Sequence, residues 1–277
     1  LLRAARFAAR LDFALEDVTR EAIVELAPGI LTVSAERIAA ELRIMLTHRS
    51  RARAVRLLDE LGLLVHVLPE VARMKGVGQS GDWHPEGDVF EHTLRCLEEA
   101  GEVDWELAMA VLLHDVGKPP TAQDGAFYAH DKVGADIAAD VCRRLRESNR
   151  VRDRVVWLVR NHMRFRDAKQ MKEVTLRRLM SEPDFETLAE LHLIDAKASA
   201  GDFDNYDFVM DKYRRFQEEP PPVKPLVTGR DLIDRGLTPG PAFKEILDAL
   251  AADQLEGKLK TRDDALKALD ELLRRRK

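Results

Sequence analysis

Between Asp88 and Asp195, five stretches space their apolar residues at helical intervals, and each carries an ionisable side chain on its apolar stripe. His92 falls with Val89, Cys96, Leu97 and Ala100. The almost wholly apolar run from Leu107 to Leu113 ends in His114-Asp115 before Gly117 stops it. His130 stands one turn before Val133, Ile137 and Val141; His162 shares a face with Val155, Leu158 and Val159; Asp195 shares one with Leu188, Leu191 and Ala198. One histidine on such a stripe is ordinarily a hydrogen-bonded core residue. Five such positions together constrain the fold, because an ionisable group buried without a partner costs several kcal/mol. Helices that converge, so that these side chains face one another around a metal ion, remove that cost.

Imidazole nitrogen with carboxylate oxygen suits one or two ions of Mn, Fe, Ni, Co or Zn better than Ca, and no cysteine ligand is expected, which argues against a structural zinc site. His114 and Asp115 are neighbours, so on a regular helix they point about 100° apart. At a helix end relaxed by Gly117 both can reach one cluster, and a carboxylate there can bridge two ions. Lys118 follows and offers a point charge to a substrate phosphate. The chemistry implied is attack of metal-activated water on a phosphoryl centre, with Asp115 and Lys118 as the candidate catalytic groups.

The rest of the chain reads as all-α. Helix-forming Ala, Leu, Arg and Glu abound, aromatic residues are 6% of the chain, and no useful strand alternation is present. Residues 1–75 read as helices broken at Pro28-Gly29 and near Ser50 and Gly62, with Ser34 an N-cap candidate. Gly76, Gly78, Gly81, Pro85 and Gly87 mark a boundary loop. Asp88 with Glu91 forms an expected capping box, opening a helical region over 76–217. Pro220, Pro221, Pro222 and Pro225 then make a stiff linker into a smaller helical segment, the whole spanning 218–277.

The chain begins at Leu1 inside an apolar stripe with Leu2, Ala5, Ala8 and Ala9, the pattern expected of a piece of a longer protein. Leu2, Phe7 and Leu11 are therefore expected to show an apolar face left partly uncovered. No run of 18 apolar residues is present, so no membrane partner is expected, and Cys96 and Cys142, which form neither a metal-spaced pair nor a disulfide framework, fit a reducing cytoplasm. With a net charge of −5, any RNA contact must be local. Arg43, Arg49, Arg51, Arg53 and Arg56, with His48, cluster at one helix junction and are the candidates for phosphate contact, against the alternative of a solvated face.

The order His92, His114-Asp115, Asp195 resembles the H…HD…D pattern of the HD phosphohydrolase superfamily, and the phrase Leu112-Leu113-His114-Asp115-Val116-Gly117-Lys118-Pro119 is a specific match to it. The resemblance implies that these residues are metal ligands, that His130 and His162 serve a second ion, and that Asp115 bridges. Flanking phrases narrow the family. Leu2-Arg3-Ala4-Ala5-Arg6-Phe7, Thr19, Ala22-Ile23, Glu36-Arg37-Ile38, Glu41-Leu42, Gly62-Leu63-Leu64 and Leu68-Pro69-Glu70 resemble the neck of bacterial CCA-adding tRNA nucleotidyltransferases and related poly(A) polymerases. His84-Pro85-Glu86-Gly87-Asp88 with His92-Thr93 resembles the lead-in to their HD domain, and 225–232 with Gly236 and Pro239-Gly240-Pro241 resembles their C-terminal segment.

The family's nucleotidyltransferase head carries a Gly-Ser motif and an Asp-x-Asp pair in a strand context that this sequence lacks. Asp202-Phe203-Asp204 has the spacing alone, and Glu16-Asp17-Val18-Thr19-Arg20 matches the letters of the family's nucleotide template at a position later than the family's. Transfer of CCA is therefore not expected from this sequence. Two readings follow: an enzyme hydrolysing phosphomonoesters or 2′,3′-cyclic phosphodiesters, or a silent body that grips the tRNA acceptor arm for a head domain. The complete ligand set favours the first, because a scaffold could replace buried polar residues with apolar ones at little cost.

Overall fold

The computed structural model describes residues 1–79, 87–123, 126–199, 201, 203–218, 225–238, 240–255 and 258–275. Gly81, His84, Pro85 and Glu86 of the expected lead-in, Asp202, Pro220 to Pro222 of the linker, Pro239, and the basic end Arg276-Lys277 lie outside these residues. Two compact units are present, 1–214 and 215–277.

The first unit opens with α1 (Leu2–Leu11), α2 (Asp17–Leu26), a 3₁₀ turn (Ala27–Thr32), α3 (Ala35–Leu46), α4 (Arg51–Glu60), α5 (Leu64–Val67) and α6 (Pro69–Ala72). α1 packs on α4, and small side chains are buried on both helices: Ala5, Ala8 and Ala9 on the first, Ala52 and Ala54 on the second. Ser34 sits at the N-cap of α3 as expected, although its side chain caps no backbone N–H. Leu2 is buried at 4% exposure, contrary to expectation, on a helix that packs against both α3 and α4. Phe7 and Leu11 are exposed, as are Phe13, Val18 and Leu31 nearby in sequence.

Then follow α7 (Val89–Glu99), α8 (Trp105–Leu113), α9 (Lys118–Thr121), the short antiparallel pair β1 (Ala122–Gln123) and β2 (Ala126–Phe127), α10 (His130–Arg144), α11 (Asn149–Asn161), α12 (Glu173–Met180), α13 (Phe185–Ala198) and α14 (Asp204–Glu218). Every residue of α8 is buried, as an all-round apolar helix requires, and α7, α11 and α13 pack about it. α10 packs on α11, with Ala135, Ala138 and Val141 buried on the first and Val155, Leu158 and Val159 on the second.

The expected division at residue 75 falls between two sets of helices that share this unit: α4 packs on α7, and α3 on α8. Arg51 is buried at the first contact. Its guanidinium donates to the carbonyls of Leu46 (2.9 Å), Gly101 (2.9 Å), Leu97 (3.4 Å) and Ala100, joining the end of α3 to the end of α7.

The second unit holds α15 (Gly229–Ile233), α16 (Pro241–Leu255) and α17 (Arg262–Arg275) around Val227, Leu232, Ile246, Leu250, Ala265 and Leu269. Thr228 and Asp231 form a capping box at α15. Among the described residues no helix is long and apolar enough to cross a membrane.

Candidate metal centre

The six ionisable side chains singled out on the five helical stretches converge, and each stretch reaches the cluster by its own local device. Asp88 caps α7, accepting from Phe90 N (2.8 Å) and Glu91 N (3.1 Å), which fixes the helix that carries His92. The expected capping box is only half made, because the Glu91 carboxylate turns instead to Arg56 at 2.7 Å. His114 ends α8 and Asp115 lies in the turn beyond it. That turn presses against the first turn of α10: a Cβ on Gly117 would stand 2.6 Å from Gly134 N and closer still to His130 O. Only glycine permits this approach, and it brings His130 at the start of α10 beside Asp115. His162 ends α11, where the helix tightens into a 3₁₀ turn, and Asp195 projects from the body of α13.

Asp115 is central. Its Oδ1 lies 3.6 Å from His130 Nε2 and 3.9 Å from His162 Nε2, while Oδ2 lies 3.2 Å from His114 Nε2 and 3.9 Å from His92 Nε2. His92 Nε2 is also 3.0 Å from Asp195 Oδ1. Two groups of ligand atoms result, each with its members within 4.8 Å of one another: His92, Cys96, His114 and Asp195, and Asp115, His130 and His162. Asp115 and all four histidines are buried.

The backbone sets the histidine tautomers. Nδ1 of His114 lies 2.8 Å from Val111 O, Nδ1 of His130 2.8 Å from Phe127 O, and Nδ1 of His162 2.6 Å from Val159 O. A carbonyl oxygen can only accept, so Nδ1 carries the proton and donates in each case, leaving Nε2 as a lone pair aimed into the cluster. His130 and His162 then face each other Nε2 to Nε2 at 3.2 Å, two acceptors in contact. His114 Nε2 and Asp115 Oδ2 are buried without a hydrogen-bond partner among the described residues, although Lys118 Nζ stands 2.7 Å from Oδ2. Buried lone pairs and carboxylate oxygens turned toward one another fit cations between them, and outer hydrogen bonds from ring Nδ1 to carbonyls are the usual support of histidine ligands.

Electrostatics agree. Burial alone would raise the Asp115 carboxyl, but its electrostatic contacts with His114 and the Lys118 ammonium outweigh it and hold the group well below the usual carboxylate range. For Asp195, likewise, the hydrogen bond with His92 and the nearby His114 overcome burial and lower it. Burial pushes His162 down to about 4, so this imidazole stays neutral and ready to donate a lone pair at physiological pH. The Cys96 thiol is pushed up to about 11 by burial.

Two neighbours were not among the sequence candidates. Cys96 Sγ is 3.4 Å from His92 Nε2, one helical turn along α7, and belongs to the first ligand group. The i,i+4 spacing from His92 was the available signal, masked by cysteine's ordinary place on apolar stripes. Gln79, in the loop before α7, takes a hydrogen bond from Lys118 Nζ on its Oε1 and has a buried Nε2 without a partner among the described residues; sequence gave no signal for it. His192, three residues before Asp195 on α13, stacks on Phe165 with ring centroids 4.8 Å apart.

The arginine cluster divides. Arg51 is not a phosphate contact, because its whole guanidinium is spent on buried carbonyls. Arg43 pairs with Glu147 at 3.0 Å and lies over Trp105, Arg53 pairs with Asp12, and Arg56 pairs with Glu91. Arg49 is exposed and makes no ion pair among the described residues.

Residues 12–75 match the family described as "Probable RNA and SrmB- binding site of polymerase A", and residues 89–205 match the HD domain. The A-adding tRNA nucleotidyltransferase of Deinococcus radiodurans is 35% identical over 95% of this chain and 65% of its own length. The CC-adding tRNA nucleotidyltransferase of Thermus thermophilus is 34% identical over 95% of this chain and 64% of its own. The Bacillus stearothermophilus CCA-adding enzyme, solved in complex with CTP, superposes with a TM-score of 0.56 at 26% identity, covering 99% of this chain and 61% of that one. The chain thus spans just under two thirds of the length of these relatives.

Proposed function

The chain belongs to the tRNA nucleotidyltransferase and poly(A) polymerase family, of which it carries the RNA-binding neck and HD-domain part, and from that premise we propose that its HD cluster is a metal-dependent phosphohydrolase site within a tRNA-processing protein. The observation that carries the reading is the set of histidines whose Nδ1–H groups are tied to backbone carbonyls, so that Nε2 lone pairs surround both oxygens of Asp115. His92, His114, Asp115 and Asp195 would hold one divalent ion, and His130 and His162 would hold a second together with Asp115. Bound there, such an ion lowers the pKa of water and offsets charge on phosphoryl oxygens.

The donor set suits Mn, Fe, Ni, Co or Zn. Lys118, held at Asp115 by Gln79, is the cation within reach of a substrate phosphate. The substrates proposed are phosphomonoesters or 2′,3′-cyclic phosphodiesters, the kinds of end a tRNA acceptor arm or a nucleotide presents. A second role, gripping the acceptor arm, is supported by the RNA-binding family match over 12–75 and by Arg49, whose charge is uncommitted among the described residues. That role is compatible with the first.

The test is hydrolysis of 2′,3′-cyclic AMP and of 2′-AMP by the chain supplied in turn with Mn, Ni, Co and Zn, beside Asp115→Ala. Turnover with at least one metal, lost in the variant, is expected. Undiminished turnover in Asp115→Ala, or none in the parent with any metal, would overturn the phosphohydrolase reading.

A further inference from the structure

The first ligand group contains a donor that neither the sequence pattern nor a nitrogen–oxygen site requires. Cys96 lies one helical turn after His92 on α7, so its Sγ shares a side of the helix with the imidazole and reaches 3.4 Å from Nε2. The thiol is 1% exposed, and one ligand atom from each of Cys96, His92, His114 and Asp195 lies within 4.8 Å of all the others. The other cysteine, Cys142, is also a free thiol and lies in neither ligand group, so a disulfide does not account for Cys96.

An ordinary hydrogen bond explains the contact poorly. His92 Nε2 meets both Cys96 Sγ at 3.4 Å and Asp195 Oδ1 at 3.0 Å. If Nε2 carries a proton, that proton serves Asp195 and the thiol has no acceptor there. If it does not, a carboxylate oxygen faces a lone pair. His114 Nε2, buried and without a hydrogen-bond partner among the described residues, adds a third electron-rich atom. One cation among them satisfies all. Ligand lengths of about 2.3 Å for sulfur and 2.0–2.1 Å for nitrogen place the two donors about 3.5 Å apart across a tetrahedral angle, close to the separation seen.

We propose that Cys96 Sγ ligates the same ion as His92, His114 and Asp195, its thiol proton passing to solvent as the metal–sulfur bond forms, and that this sulfur gives the first half of the centre a preference for thiophilic ions such as zinc and cobalt over manganese. The inference rests on the metal-centre reading above and deepens it. Thiolate is a soft ligand that discriminates among ions by type, whereas imidazole and carboxylate accept a wider range. The second group, Asp115, His130 and His162, has no sulfur and lacks this bias.

The test is cobalt spectroscopy on the full chain, with Cys96→Ser, and with Cys142→Ser as a control for the other thiol. Bound cobalt shows visible ligand-field bands whatever its donors, and a near-ultraviolet sulfur-to-cobalt charge-transfer band only when thiolate is bound. The charge-transfer band should appear in the parent and in Cys142→Ser and vanish in Cys96→Ser while the visible bands persist. Zinc affinity should fall on the order of 10–100-fold in Cys96→Ser, with manganese affinity little changed. Visible bands without the charge-transfer band in the parent overturn the inference and leave the metal centre standing. Equal losses of zinc and manganese affinity overturn the preference. Absence of bound cobalt in the parent overturns both readings, and the parent spectrum alone decides this even if a variant fails to fold.

Discussion

Replacing Arg51 by Met should destabilise the first unit strongly, because the guanidinium is an interior group and not a surface charge. The substitution keeps most of the aliphatic volume and removes the guanidinium that joins the end of α3 to the end of α7. Four carbonyl acceptors lose their donor. Gly101 is exposed, so water can replace the guanidinium there, and the 3.4 Å contact to Leu97 is weak. Leu46 and Ala100 are buried, and each stranded acceptor costs about 1–3 kcal/mol. Burial also lowers the Arg51 pKa, a sign that the charge is held against desolvation, and removing it returns part of that loss. The net expectation is about 2–4 kcal/mol. Trp83, Trp105 and Trp157 all fall within residues 1–214, so urea unfolding followed by tryptophan fluorescence reports this unit and not the C-terminal one. Arg49→Ala, exposed and unpaired among the described residues, should change stability by no more than about 0.5 kcal/mol. A loss below about 1 kcal/mol in Arg51→Met, or weakened tRNA binding at unchanged stability, would refute the structural assignment.

Gly117→Ala forces the turn after α8 away from the start of α10 by roughly 1 Å, since backbone atoms leave no room for a methyl group. His130 should retreat from Asp115, and one metal equivalent should be lost at equilibrium dialysis while the other is retained; retention of both would contradict the role given to this glycine. The chelator-treated chain should weaken as pH falls from about 6.5 toward 4. Unfolded His162 takes up a proton near its ordinary pKa, whereas the folded group does so only near 4, so the unfolded state binds more protons in this window. Stability is full above the window and declines by up to about 3 kcal/mol across it. His162→Gln should flatten that slope in urea titrations, and an unchanged slope would count against the buried neutral imidazole.

Much of this architecture was legible because burial leaves a periodic trace. His92, His114, His130, His162 and Asp195 could be found because an ionisable residue on an apolar stripe is an anomaly, and the order H…HD…D turned five anomalies into one cluster. Cys96 could not be found in that way, since cysteine on a buried face is no anomaly. Arg51 misled for the opposite reason. A cluster of arginines looks solvated in sequence, and only the arrival of the α7 carbonyls from about fifty residues away shows that one of them is interior. Gln79 and the two-residue strands β1 and β2 depend on contacts across loops that have no period to read. Leu2 was expected to be uncovered but is buried, on a helix that packs against α3 and α4, pairings that composition does not announce.

The account stands most directly on whether the cluster holds metal. Equilibrium dialysis against zinc or manganese, followed by elemental analysis, should give up to two ions per chain for the parent, one for His130→Ala, and none retained tightly by Asp115→Ala, whose carboxylate lies between both groups of ligands. A parent chain that retains no divalent ion, or an Asp115→Ala variant that retains the parent's full complement, would contradict it.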